Sequence, residues 1–294
     1  MGISPQTLTP QSFYGGVWVD GPIPLTTRNE INQWLRFLCG ESDLDSLTYD
    51  VFIVAGQSNA QGAAAGFGTT PALGRGAYWS PWYTVNRMAD PVRMLEDDVS
   101  LTGSAWPAFA EAWYVRTGNP VLIIGAAVSG CGLVTAGPDG LWGSSGNLTT
   151  RAANQALEAL TYLGAQANLR GVIWAGGEQD AEALATGTPS QATYAAALVD
   201  LRDRFRTALD KPTLPMFMIS ADRRTDGTYD AGYVTLRAAQ VAAGTADSGI
   251  KLVVPYQNFV GAGLMSDVVH WNQTAQNTVG TTAAGAIATH FGYA

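Results

Sequence analysis

The sequence predicts an α/β fold in which a five-stranded parallel sheet carries helices on both faces. Five short apolar runs follow residue 50, each of a length typical of a buried strand. Segments of helical periodicity lie between these runs, and right-handed crossovers connect parallel neighbours in this way. The chain has 294 residues, 47% of them hydrophobic, so one domain can bury a large core.

Each expected strand is continuously apolar because strands of a parallel sheet are covered on both faces. The five strands are expected at Val51–Ala55, Val121–Ala126, Val172–Ala175, Met216–Ser220 and Leu252–Val254. The helices between and after them are expected at Ala105–Arg116, Thr150–Ala167, Ser190–Leu209, Ala231–Ala243 and Thr274–His290.

Residues 1–48 differ from the rest, because they are rich in Pro, Thr and Gly. One helix is expected there, at Thr27–Leu38, with Thr26 or Thr27 as its N-cap. We therefore expect an N-terminal extension over residues 1–48, packed on a main domain that spans residues 49–294.

Two long stretches rich in glycine and aromatic residues, Ala60–Gly103 and Ser129–Leu148, interrupt the alternation of strands and helices. Long loops without regular structure are usually functional, so both are candidates for binding substrate. The first stretch contains aromatic side chains that either stack on sugar rings or pack the loop onto the body of the protein. These are Tyr78, Trp79, Trp82 and Tyr83.

The net charge of the chain limits the classes of molecule that it is expected to bind. The chain has 16 basic and 24 acidic residues, a formal net charge of -8, and only two lysines, Lys211 and Lys251. With no basic run, electrostatic attraction to nucleic acid or to an anionic membrane is not expected. The substrate should be neutral or recognised locally.

Neither the start of the chain nor its cysteines indicate the cellular compartment in which the protein works. The start of the chain lacks the basic and apolar regions of a secretory signal, and no apolar stretch approaches the roughly 18 residues of a membrane span. Cys39 and Cys131 could pair only if the fold brings them together.

The strongest chemical signal is Ser58, which follows the first expected strand in the tetrapeptide Gly56-Gln57-Ser58-Asn59. Open α/β sheets build their sites at the carboxyl ends of strands. A serine hydroxyl needs a base to become a nucleophile, and the chain offers only His270 and His290 as imidazoles. His290 fits better as a cation at the end of the last helix.

His270 is the expected base because Asp267 precedes it by three residues. In one helical turn or a tight loop both side chains face the same way, so the carboxylate can orient the imidazole. The structural alternative for Asp267 is the N-cap of the last helix, a role that Ser266 could also fill.

Acyl transfer also needs donors for the developing oxyanion. Three segments at strand ends could supply them: the Ser58 amide, the Ser129–Gly132 bend, and the polar segment Gly176–Asp180.

Other chemistries fit less well. The residues around the serine read G-x-S-x-A, not the G-x-S-x-G of α/β-hydrolases. Glu178 and Asp180 are too close in sequence to imply the carboxylate separation of a glycosidase. Two histidines and two cysteines make a metal site improbable, and no Gly-Lys follows the glycines of residues 62–68, as a phosphate-binding loop requires.

The order of these motifs resembles that of SGNH-type hydrolases, in particular the sialate O-acetylesterase and acetyl xylan esterase branch. That branch shows G-Q-S-N, then W-x-Q-G-E-x-D, then D-x-x-H. The first and last blocks match here, and Trp174 to Ala181 matches the middle block except that Gly176 replaces the usual glutamine. The resemblance extends from about Asp50 to the C-terminus.

The resemblance implies a flavodoxin-like three-layer α/β/α fold, the SGNH hydrolase fold, and assigns roles to residues. Ser58 would be the nucleophile, His270 the base and Asp267 its orienter. The oxyanion hole would consist of Ser58, Gly130 and a third donor, either Gln179 or a backbone amide of the glycine pair. Apart from the resemblance, we expect substrate binding at Gln57, Asn59, Glu178 and Trp271, the last as a wall of the pocket beside His270.

We therefore expect a serine esterase that removes O-acetyl groups from a carbohydrate without a cofactor or a metal. Its partner would be the acetylated carbohydrate, with no nucleic acid or membrane, and it would act outside the cell or on a phage virion instead of in the cytoplasm. Two alternatives stay open: an inactive sugar-binding or virion module of the same fold, and a lipase-like short-chain esterase.

Overall fold

The computed structural model describes residues 13–14, 17–18, 44, 46–81, 83–95 and 102–293. The expected helix Thr27–Leu38, most of the expected extension, Cys39 and Trp82 lie outside the described residues. The first two described segments form a short antiparallel pair, β1 (Phe13–Tyr14) and β2 (Val17–Trp18).

The main sheet has seven strands, in the order β5-β4-β6-β3-β7-β8-β9. All neighbours are parallel except β4 and β5, which are antiparallel. Its strands are β3 (Tyr49–Gly56), β4 (Gly76–Trp79), β5 (Val85–Arg87), β6 (Val121–Gly125), β7 (Ala167–Ala175), β8 (Met216–Ile219) and β9 (Ile250–Val254).

The predicted number of strands is wrong, because five were expected and the sheet has seven. The two additional strands, β4 and β5, come from the stretch Ala60–Gly103, which was expected to lack regular structure. Each is only three or four residues long, and neither shows an apolar run that distinguishes it from a loop. Trp79 on β4 is fully buried, and its ring centroid lies 5.3 Å from that of Tyr162. This tryptophan therefore packs the stretch onto the core.

The five expected strands occur as β3, β6, β7, β8 and β9, and they lie in the order second, first, third, fourth, fifth. This is the flavodoxin order, in which the direction of winding reverses beside the first strand. Ligands of such sheets bind beyond the carboxyl ends of the strands at this reversal. Here the reversal lies between β3 and β7, so the residues that follow these two strands are placed to form a site.

Helices cover both faces of the sheet. The five expected helices are all present, although the second ends four residues early because a 3-10 turn at Gly164–Gln166 leads directly into β7. Two short helices, Ser58–Gln61 and Glu178–Ala185, were not expected. The helices are α1 (Ser58–Gln61), α2 (Trp106–Thr117), α3 (Leu148–Leu163), α4 (Glu178–Ala185), α5 (Gln191–Leu209), α6 (Asp230–Ala246) and α7 (Gln273–His290).

Two apolar layers hold the helices on the sheet. The buried residues of α2 and α7 pack on one face together with Phe52 and Val54. Those of α3, α5 and α6 pack on the other face with Val51 and Ile53, as the alternation of side chains along β3 requires. In the part of the chain that the structure describes, no helix is both long enough and apolar enough to span a membrane.

Candidate active site

The turn after β3 brings the backbone of Ser58 close to the end of β7. Gly56 has φ 138°, and a Cβ built on it would lie 1.8 Å from the carbonyl oxygen of Ala175. The next residue, Gln57, donates its backbone N–H to that same oxygen at 3.0 Å. Only glycine allows this close approach, so Gly56 fixes where the following serine begins α1.

Replacing Gly56 by alanine should lower the free energy of unfolding by at least about 3 kcal/mol, because the change adds both a backbone clash and an unfavourable φ. Urea denaturation measures the loss. Gly66→Ala is the matched control, since Gly66 also has a positive φ of 125° but a Cβ there meets nothing within 4 Å. Equal losses for the two variants would contradict the importance of the contact with Ala175.

The three residues of the expected catalytic set form a chain in which His270 lies within hydrogen-bonding distance of both Ser58 and Asp267. His270 Nε2 is 2.8 Å from Ser58 Oγ, and His270 Nδ1 is 2.7 Å from Asp267 Oδ2. The loop after β9 therefore carries the imidazole to the end of β3, across 212 residues of sequence. The arrangement suits removal of a proton from the hydroxyl by the ring.

Asp267 is held by its own loop. Its Oδ1 accepts the backbone N–H groups of Val269 and His270, each at 2.8 Å, while Oδ2 faces the imidazole. Partial burial alone would raise the pKa of Asp267, but the hydrogen bonds from His270 and Val269 outweigh it and keep the pKa below its ordinary value. The N-cap of α7 is Asn272, which leaves the aspartate for the histidine.

The second histidine lies elsewhere. His290 ends α7, and its ring packs edge-on against Phe217 with centroids 5.3 Å apart. Burial and the nearby Lys251 lower the pKa of His290. Its ring therefore belongs to an aromatic cluster, and the choice of His270 as the expected base agrees with the geometry.

Gln57 connects the ends of β3 and β7. Its side chain is 3% exposed, and its Oε1 accepts the backbone N–H of Gly177 at 2.7 Å, just before α4. The sequence suggested that Gln57 contacts substrate, whereas in the structure its carbonyl oxygen is occupied by the protein. Its role in substrate binding stays a prediction.

Asn59 and Trp271 also have internal partners. Asn59 is 2% exposed and Trp271 is 2% exposed, so neither presents a face to solvent. The indole of Trp271 packs edge-on against Phe259, with ring centroids 5.8 Å apart. Trp271, which was expected to form a wall of the pocket, is thus a core side chain in the same apolar layer as the buried residues of α7.

The expected oxyanion donors lie on neighbouring segments. The Val128 N–H donates to Gly56 O at 3.1 Å, which brings the loop containing Gly130 beside the turn after β3. Gly130 has φ 65°, a conformation that favours glycine. Gln179 is the second residue of α4, and its side chain is partly exposed. These placements are compatible with the expected donor set, which stays a prediction.

The structure gives a reason for glycine at position 176. A Cβ there would lie 3.0 Å from Cζ2 of Trp174 and 3.4 Å from the side chain of Gln57. A glutamine, as in the middle block of the resembling hydrolases, would require the buried Trp174 ring to move. The indole of Trp174 thus limits the space for any side chain at position 176.

Asp180 anchors the second long loop. Its carboxylate is fully buried and accepts the backbone N–H groups of Leu133, Val134 and Thr135 at 2.8, 3.0 and 2.8 Å. Burial raises the pKa of Asp180, and these three donors oppose the rise. The carboxylate therefore ties the loop that includes Gly130 to α4.

Sequence reasoning missed this anchoring role, although it singled out the segment that contains Asp180. A carboxylate inside a motif suggests chemistry, and no sequence signal distinguishes it from a loop anchor. It also missed Gln276, whose Nε2 donates to Asn59 O at 3.0 Å from the first turn of α7. No pattern around Gln276 indicates this contact.

The fold is shared with solved structures of low sequence identity. A protein of Arabidopsis thaliana is 19% identical with a TM-score of 0.65, covering 83% of this chain and 99% of that one. NanS is 16% identical with a TM-score of 0.65, covering 83% and 97%. A carbohydrate acetylesterase from Xanthomonas citri is 17% identical with a TM-score of 0.55, covering 82% and 56%.

At these identities the solved structures show the fold alone, and no curated protein matches the sequence. A family model described as "Carbohydrate esterase, sialic acid-specific acetylesterase" matches residues 48–289, which is most of the chain. The resemblance read from the motifs is thereby confirmed. The chain belongs to this carbohydrate esterase family and is a carboxylic ester hydrolase.

Proposed function

We propose that the protein is a carbohydrate O-acetylesterase that works through an acyl-enzyme on Ser58. The observation that carries the proposal is the continuous pair of hydrogen bonds from Ser58 Oγ through the His270 ring to Asp267, at 2.8 and 2.7 Å. A binding module has no need of a serine whose proton faces an imidazole that a carboxylate orients. Membership of the esterase family supports the same conclusion.

In the proposed reaction, Ser58 Oγ attacks the acetyl carbonyl carbon while its proton passes to His270 Nε2. The negative charge that develops on the carbonyl oxygen is stabilised by backbone N–H groups of Ser58 and Gly130 and by Gln179. The bond between the carbonyl carbon and the sugar oxygen then breaks as His270 protonates that oxygen, which leaves the acetyl group on Ser58. Water, deprotonated by the same ring, attacks the acetyl-serine, and the ring returns the proton to Ser58 Oγ as acetate leaves.

Asp267 keeps the imidazole in the tautomer that accepts a proton at Nε2, and it stabilises the imidazolium that forms. The hydrogen bonds to its oxygens lower the pKa of Asp267, so this carboxyl is ionised near neutral pH. Every step therefore proceeds with side chains of this chain and water.

An acetyl group is the proposed acyl part because the family model that matches residues 48–289 describes an acetylesterase. The carbohydrate part of the proposal comes from the family and from the Xanthomonas citri enzyme of the same fold. The net charge of -8 is compatible with a neutral sugar.

The proposal is tested with p-nitrophenyl esters of increasing acyl length and with a fluorophosphonate probe. We expect kcat/KM to fall by about tenfold or more from acetate to butyrate, since added methylenes do not fit a small pocket. The probe should label Ser58, as peptide mass spectrometry would detect.

Rates that rise with acyl length would instead favour the lipase-like esterase. Absence of labelling in a folded protein would favour the inactive binding module. A panel of acetylated xylan, sialic acid and bacterial surface polysaccharide then identifies the sugar through the acetate released.

A further inference from the structure

We propose that Asn59 and Glu178 act together as positioning residues for His270, an inference that rests on the proposed function. The observation is that the amide of Asn59 contacts the backbone on both sides of the histidine. Asn59 Oδ1 accepts the N–H of Trp271 at 3.0 Å, and Asn59 Nδ2 donates to Val269 O at 3.2 Å.

Glu178 determines which way this amide faces. Its Oε1 accepts the second N–H of Asn59 Nδ2 at 2.9 Å. A carboxylate only accepts hydrogen bonds, so the amide nitrogen must point to Glu178 and the amide oxygen to Trp271. Both N–H groups and the oxygen of the Asn59 amide thus have partners in the protein, and the side chain is 2% exposed.

Asn59 follows the nucleophile directly in sequence. One short segment, the start of α1, therefore carries the hydroxyl that reacts and the amide that holds the loop of its base. Other backbone contacts of His270 come from its own loop, since His270 N donates to Asp267 and His270 O accepts from Ser266 N. Asn59 connects this loop to the start of α1. Two backbone N–H groups hold the loop elsewhere, since Ala65 donates to Ser266 Oγ at 3.3 Å and Thr225 donates to Val268 O at 2.9 Å.

The chemistry requires such a connection because proton transfer from Ser58 depends on a short distance between Oγ and Nε2. An error of about 1 Å in the position of a reacting group can cost roughly a hundredfold in rate. Asn59 thereby sets the relative position of nucleophile and base without touching the ester.

The central experiment replaces Asn59 by leucine, which has a similar shape and no hydrogen-bonding group. We expect kcat for p-nitrophenyl acetate to fall about a hundredfold with KM changed less than threefold. The rate at which a fluorophosphonate labels Ser58 should fall by a similar factor. A change in KM alone would mean that Asn59 binds substrate and would overturn the proposal.

Glu178 is tested by a pair of variants. Glu178→Gln still offers an oxygen to Asn59, whereas Glu178→Leu offers none, so the glutamine variant should keep about tenfold more kcat than the leucine variant. Equal loss in both would overturn the role of Glu178 in orienting the amide.

Asn119→Leu is the matched control for loss of stability. Asn119 Nδ2 donates to Asp50 at 3.1 Å, in a polar cluster around the first residues of β3, at the opposite end of the strand from Ser58. We expect this variant to lower the melting temperature with little effect on kcat per folded molecule. If Asn59→Leu behaves in the same way, its role is structural and the proposal fails.

A double-mutant cycle with His270→Ala separates this inference from the proposed function. If Asn59 acts only through the imidazole, Asn59→Leu should reduce the residual rate of His270→Ala by less than about threefold. A further hundredfold loss in that background would overturn the inference. If His270→Ala itself keeps full activity, the proposed function fails, whatever Asn59 does.

Discussion

Replacing Ser58 by alanine should lower kcat for p-nitrophenyl acetate by about a million-fold, the loss expected when the nucleophile of a serine–histidine pair is removed. The variant retains the packing of α1, because the hydroxyl's hydrogen-bond partner is the ring of His270 on a partly exposed loop. The measurement is the initial rate of p-nitrophenol release, with circular dichroism as the check on folding.

Ser190→Ala is a matched control for Ser58→Ala. Ser190 is the N-cap of α5, where its side chain accepts the N–H of Thr193, so its loss should cost about 1 kcal/mol of stability. Its activity should equal that of the unmodified protein. A Ser58→Ala variant as active as this control would refute the proposed nucleophile.

Replacing Asp267 by asparagine should lower kcat about ten-thousandfold, because an amide beside Nδ1 permits the imidazole tautomer that cannot accept the serine proton. The backbone N–H groups of Val269 and His270 can still donate to the remaining oxygen, so the loop keeps its shape. The pH profile of kcat/KM provides a second readout.

The pKa of Asp267 lies below its ordinary value of about 3.9, so its carboxylate stays ionised above pH 5 and contributes no step to that profile there. The corresponding gain in stability is present above the unfolded pKa and is lost as pH falls through the folded one. Asp200→Asn is the control, since Asp200 forms an ion pair with Arg204 on α5, at 2.9 Å, and its side chain is half exposed. Asp200→Asn should keep full activity. An Asp267→Asn variant that is as active as Asp200→Asn would contradict the role of Asp267.

Five strands of the main sheet, and the proximity of Ser58 to His270, were predictable from the sequence because both follow from the rules of parallel sheets. Buried parallel strands are continuously apolar, and polar residues that follow such strands meet at one edge of the sheet. Asp267 was predictable from its spacing alone, because three residues in a tight loop suffice to bring a carboxylate to an imidazole. The catalytic roles of these residues stay predictions until the variants are measured.

What the sequence could not indicate depends on contacts between distant segments. β4 and β5 are too short to show a periodic pattern, and only pairing with β6 makes them part of the sheet. Substrate binding was expected at Asn59 and Trp271, and both side chains are buried. Whether a side chain beside a nucleophile faces the substrate or the interior is decided by the turn geometry.

The separation of 212 positions between Ser58 and His270 has a consequence for synthesis of the chain. A nascent polypeptide exposes Ser58 early, whereas its imidazole emerges only after β9 has been translated. Such a distant pairing forms late because the intervening chain must first be ordered. The proposed nucleophile therefore meets its proposed base only after the loop that follows β9 has been translated and has folded onto the sheet.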